Sequence, residues 1–285
     1  MDPIDRRMML GAAGLAGVAA MTKLASAGPL SPPPGPVGAT GQTLDDIYNR
    51  VARTDVGVAE PRIPVQSLPG SATALHVITE PGSYYLTGNI QGVAGKNGIE
   101  VHASRVDIDL SGFSMVGAAG SMSAVRQIDG LEQLSVHDGL ITDWSEFGVY
   151  AFFSPFSRVE RIKLARIVDR AVIVNFGSVV TDCSVRQCGG RTLSVESLGL
   201  IARCITDQCG SPSIYGQNRI LVTDCVAHRS GQGVVVEGGG RIERCQAIEC
   251  GLGIGGGSDT VVTGCVVSQA VVGISAAEGP LLELK

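Results

Sequence analysis

Large rings are scarce in this chain: aromatic residues make up 4% of 285, with one tryptophan. With so few rings to fill a thick globular centre, the interior is expected to be narrow and packed with small and branched side chains. Charge is sparse as well, at 17% of residues and a net −5. No basic stripe stands out, which excludes the electrostatic footprint of a nucleic-acid binder. The chain also lacks a CxxC pair, a GxSxG elbow, a phosphate loop and an HExxH helix. The signatures of zinc knuckles, serine hydrolases, nucleotide-binding enzymes and metalloproteases are therefore missing. No apolar run reaches the ~20 residues that a membrane helix needs.

Glycine is plentiful, at 39 residues, and there are eight cysteines. Residues 1–27 have the layout of an export signal: basic Arg6 and Arg7, an apolar run from Leu10 to Met21, and Ala25-Ser26-Ala27 before the cut. Arg6-Arg7 followed by Met9 and Leu10 resembles a twin-arginine signal, so the mature protein is expected in the periplasm, on the cell surface or outside the cell. Residues 28–75 read as a proline- and glycine-rich linker. It contains one short amphipathic helix over 43–53, with Leu44, Ile47, Tyr48 and Val51 on one face. That helix is expected to cap the fold that follows, or to join copies of the chain in a homo-oligomer.

The region 76–285 carries an internal repeat. Aligning VVTDC (179–183), LIARC (200–204), LVTDC (221–225), RIERC (241–245) and VVTGC (261–265) spaces the cysteines by 21, 21, 20 and 20 residues. The register extends back to Ile162, and more loosely to Leu140 and Phe113. Runs of three to five β-prone residues between glycine and polar corners are too short for helices, and a repeat of about 20 residues built from them is one coil of a stacked β-solenoid. The segments ITEPGSYYLTGNI, GIEVHASRVDIDLSGFSMVG and the VxDCxVxxCG-like repeats resemble the exported bacterial right-handed parallel β-helix proteins, the pectate-lyase-like group. The resemblance implies an all-β, right-handed parallel β-helix. It leaves activity open, because that architecture houses polysaccharide lyases, hydrolases, epimerases and proteins without known activity.

Equivalent positions of successive coils form columns. Three columns look interior: Ile162 with Cys183, Cys204, Cys225, Cys245 and Cys265; Leu164, Val185, Thr206, Ala227, Ala247 and Val267; and Ile167, Cys188, Cys209, Ser230, Cys250 and Ala270. Cysteine alternating with serine and alanine is a small buried filler, and a metal site would not tolerate alanine; no metal is expected. Parallel Cβ atoms in a ladder make poor disulfide geometry, so free thiols are expected, with a disulfide as the alternative that an oxidising compartment favours. The column Arg161, Asp182, Arg203, Asp224, Arg244 alternates in sign and reads as an outward charge ladder.

Chemistry, where present, is expected on the first three coils. Strand alternation turns Asp107 and Asp109, then His137, then Glu160 outward on one face, as the candidate catalytic group. Lys163 and Arg166 flank it, and Trp144 and Tyr150 are candidates to stack on a sugar. The competing interpretation is that these are solvated polar residues of ordinary alternating strands. The expected function is a secreted β-helix protein that presents a rigid side to a polysaccharide or cell-envelope surface, with undetermined activity. The alternative is a lyase or hydrolase acting on acidic polysaccharide; only that alternative would call for a cofactor, calcium.

Overall fold

The computed structural model describes residues 61–128 and 130–276, and they form a parallel β-solenoid of about ten turns. Helix among the described residues is limited to the 3-10 turn Val65–Ser67. The expected signal at 1–27 and helix at 43–53 lie outside the described residues. Residue 76 falls inside strand Ala74–Ile78, and Ile63–Pro64 already pairs with Tyr84 and Tyr85, so strand structure begins within the tract read as linker.

Each coil has three faces. In one coil the first face is Val179–Thr181, the second Ser184–Arg186 and the third Leu193–Ser197. The next coil supplies Leu200–Ala202, Ile205–Asp207 and Ile214–Asn218 in parallel register, with Val179 opposite Leu200, Ser184 opposite Ile205 and Leu193 opposite Ile214. First- and second-face strands merge round a corner into a seventeen-stranded sheet, while the third face is a separate ten-stranded sheet.

The corner between first and second faces is one residue long. Arg161, Asp182, Arg203, Asp224 and Arg244 occupy it with φ of 51, 56, 54, 56 and 49°. This left-handed conformation costs a non-glycine residue roughly 1 kcal/mol or more, yet it turns the chain at a single position and points the side chain outward. Stacked corners then meet as ion pairs: Arg203 donates to both oxygens of Asp182 at 2.7 Å, and Arg244 to those of Asp224 at 2.7 and 2.8 Å. The ladder runs one coil further back than the repeat suggested, to Asp138, which Arg161 holds at 2.7 and 2.8 Å. The next corner carries its own pairs, Arg166 on Asp143, Gln187 on Gln208 and Arg229 on Asp207.

The interior columns are as expected except in the last coil, where Cys265, Val267 and Ala270 are only half-buried. Ile162, Cys183, Cys204, Cys225 and Cys245 are at most 2% exposed, and Leu164, Val185, Thr206, Ala227 and Ala247 are equally buried. Each ladder thiol donates to the carbonyl two residues back, across the corner: Cys183 to Thr181 at 3.3 Å, Cys204 to Ala202 at 3.4 Å, Cys225 to Thr223 at 3.2 Å. Cysteine thus fills volume and gives a weak donor to a main-chain oxygen at the bend. The backward register needs one correction. Ile162 sits opposite Gly139, and Leu140 opposite Lys163, one place out of the column. The glycine is required there because a Cβ at 139 would collide with the Leu110 side chain.

Two measurements follow from this packing. The denatured protein should titrate all eight cysteines as free thiols, consistent with their state in the fold; a deficit in pairs would mean the ladder closes disulfides. Ile201→Ala should cost about 2–5 kcal/mol in denaturant unfolding, whereas Arg203→Ala, on an exposed pair, should cost less than about 1 kcal/mol.

Candidate functional site

Strands Val106–Asp109, Leu134–Thr142 and Arg158–Ala165 lie side by side and bring three of the candidates into one column: Asp109 opposite His137, and His137 opposite Glu160. Asp107 is two residues along on the same outward side, since Val106, Ile108, Leu134 and Val136 are buried. The sequence pattern therefore placed all four on one face.

The side chains form a closed set of ion pairs. His137 donates from Nδ1 to Asp138 Oδ2 at 2.7 Å; its Nε2 lies 3.3 Å from Asp107 Oδ1, and Asp109 Oδ1 is 3.8 Å from Nδ1. Arg62 donates to Asp109 Oδ2 at 2.6 Å, and the Ser111 amide to Asp109 Oδ1 at 2.7 Å. Ser83 donates to Asp107 at 3.1 Å. Glu160 turns from the imidazole and accepts from Arg158 at 2.8 Å and Arg161 at 3.0 Å. The hydrogen bond to Asp107, with help from Asp138 and the charges of Asp107 and Asp109, raises the His137 pKa to about 9 against the opposing effect of partial burial. The bidentate Arg161 lowers Asp138 to about 2, and His137 lowers Asp107. At neutral pH the patch is a protonated imidazole ringed by carboxylates.

Ligand atoms of Asp109, His137 and Asp138 lie within 4.8 Å of one another. A metal ion there would have to displace the imidazole proton, Arg62 from Asp109 and Arg161 from Asp138, so the set as arranged does not fit one.

The flanking candidates disperse. Lys163 is on the second face and shares a shallow depression of about 430 Å³ with Asp138 and Arg161. Arg166 belongs to the second corner ladder, where Asp143 and the Thr142 hydroxyl hold it. Tyr150 is on the third face, away from His137, with the Arg126 guanidinium 4.7 Å above its ring and Phe147 at 4.9 Å. Trp144 has no exposed surface: its indole donates to the Met115 carbonyl at 3.1 Å, and Gly98 leaves room for the ring, so it is core and cannot stack on a ligand. Sequence reasoning missed Asp138, Arg161 and Arg62 as members of the network. Extending the charge column by one coil would have found Asp138. Arg62 lies 47 residues from its partner in a proline-rich tract and carried no local signal.

No family model matches the chain, and no curated protein matches it. Among solved structures, it is similar to the catalytic domain of GH87 alpha-1,3-glucanase in complex with nigerose, at 10% identity and a TM-score of 0.42, over 90% of this chain and 71% of that one. A variant of the same domain in complex with tetrasaccharides gives 10% identity and 0.43 over the same shares. Likeness of this degree carries no argument about activity or substrate. Among the described residues no helix is long and apolar enough to cross a membrane.

The raised His137 pKa has a consequence for stability. Because the folded value of about 9 lies above the ordinary 6.5, the contribution is fully present below 6.5 and is lost as the pH rises through 9. NMR titration should place His137 near 9, and His137→Gln should flatten the fall in stability over that window. Titration near 6.5 would contradict the network.

Proposed function

We propose that the protein is an exported β-solenoid that binds carbohydrate without cleaving it, presenting the patch around His137 to a polysaccharide or cell-envelope surface. The observation that carries this reading is that every carboxylate of the patch is already neutralised by a cation of the chain: Asp107 by His137, Asp109 by Arg62, Asp138 by Arg161, Glu160 by Arg158 and Arg161. A general base must be unprotonated at working pH, and a general acid needs a raised carboxyl pKa. The imidazole, protonated up to about 9, is no base at neutral pH, and Asp107 and Asp138, held low, are no acids.

What the patch does offer is a rigid array of donors and acceptors. Successive rungs about 4.8 Å apart carry carboxylates and guanidiniums whose outer edges remain open, with Asp107 42% and Arg161 50% exposed. Sugar hydroxyls both donate and accept, so such a mixed surface suits them, and a repeating polymer suits a surface that repeats.

The test combines binding with turnover. The mature protein should be retarded in gels containing a recognised polysaccharide from a panel of glucans, pectate, alginate and glycosaminoglycans. It should release neither reducing ends nor unsaturated products, with or without calcium. Turnover that disappears in Asp109→Ala or His137→Ala would establish the lyase or hydrolase alternative instead.

A further inference from the structure

The corner between the third and first faces differs from the other two. Phe156, Gly177, Leu198, Arg219, Gly239 and Asp259 occupy it on successive coils, each with φ between 52 and 67°. The other corners stack side chains that hold one another, as Arg203 holds Asp182 and Gln187 holds Gln208. Here the opposite charges of Arg219 and Asp259 stand two coils apart, about 10 Å, with Gly239 between them. Among the described residues, the side chains of Asn218, Arg219, Ser258 and Asp259 make no hydrogen bond or ion pair, and all four are exposed. Together with Leu198 and Gly239 they line an open notch of about 410 Å³.

Glycine makes the notch. The bend itself does not demand it, since Leu198, Arg219 and Asp259 take the same conformation on neighbouring coils. A Cβ at 239 would touch only the Arg219 stem, 3.4 Å away, and one at 238 would first meet Asn218 Oδ1 at 3.3 Å. A side chain at 239 would therefore fit, and would fill the gap. The floor is firmly held: the amides of Leu198, Arg219 and Gly239 donate to the carbonyls of Asn218, Gly238 and Ser258 at 3.0, 2.8 and 2.8 Å. On the far side of Leu198 the corner turns apolar. Phe156 and Phe176 meet edge to face at 5.6 Å, and the Phe156 ring lies over Gly177. Phe156, Phe176 and Leu198 are 51, 41 and 48% exposed.

We propose that the notch and the apolar stripe form one binding line for a neutral polysaccharide, laid along the solenoid axis at this corner. The proposal rests on the carbohydrate-binding reading and adds a second contact to the His137 patch. A pyranose has hydroxyls at its rim and an apolar C–H face. In the notch, hydroxyls of one unit donate to Asp259 and accept from Arg219, with Asn218 and Ser258 able to do either. Neighbouring units lay their C–H faces on Leu198 and the two phenylalanine rings, the usual division between apolar lining and a few placed polar groups. The single cation and single anion of the notch cancel, and Asp259 repels the carboxylate of a uronate.

The experiment measures binding of the full chain to neutral gluco- and mannohexaoses, and to an oligo-uronate of equal length, by calorimetry. Gly239→Asn fills the notch with a residue that accepts the left-handed conformation, and Asp259→Ala removes a carboxylate that makes no bond in the free protein. Both should keep the melting temperature of the unchanged protein. Each should weaken the best-bound neutral hexasaccharide about tenfold, and Phe176→Ala should act in the same direction. Unchanged affinity in Gly239→Asn or Asp259→Ala overturns the notch, and unchanged affinity in Phe176→Ala overturns the run of the chain along the corner. Tighter binding of the oligo-uronate overturns the neutral ligand. Binding abolished by Asp107→Ala but unchanged in Gly239→Asn overturns the notch and leaves the His137 patch standing. No binding of any probe overturns both.

Discussion

The structure depends on a chain that turns at single residues. A three-residue strand ends at Thr181, Asp182 alone takes a left-handed conformation, and the next strand begins by Ser184. Because the bend has no length to vary, each coil must place the bend at the same height as its neighbours, and the period of 20 or 21 residues follows. Polar side chains at the bend point outward and stack, which explains why aspartate and arginine alternate there. The Asp182–Arg203 and Asp224–Arg244 pairs are exposed and each adds little stability. Their effect is on register: a coil slipped by one residue would part these opposite charges and turn buried β-branched residues outward.

Much of this was legible from cysteine spacing alone. Cys183, Cys204, Cys225 and Cys245 mark the first buried position after the bend, and half-buried Cys265 continues the column, so a single residue type reported coil length, corner position and interior face together. Legibility failed where the coil was irregular. Leu140 was placed in the column that Gly139 occupies, since a glycine at a packed position has no apolar character to detect. Trp144 looked like a sugar platform because residues 144–156 are rich in rings, but rings close in sequence part company in a solenoid: Trp144 turns into the core while Tyr150 lies on the third face. At the candidate site, alternation in VDID and LSVHD found Asp107, Asp109 and His137. Their neutralising partners Arg62 and Arg161 come from other coils, so the charge state of the patch is a property of the fold only.

That charge state defines what the patch can do. Around His137 each acceptor has found a donor within the protein, and the imidazole keeps its proton across the neutral range. The region is suited to a surface contact that leaves its own bonds intact.

What a bound sugar chain looks like decides between binding and cleavage. A crystal structure of the protein soaked with an oligosaccharide it binds should show the sugar chain intact on an outer face, with every glycosidic bond unbroken and at least one sugar oxygen within hydrogen-bond distance of Asp107 or Arg161. A cleaved product lying across Asp109 and His137 would contradict it.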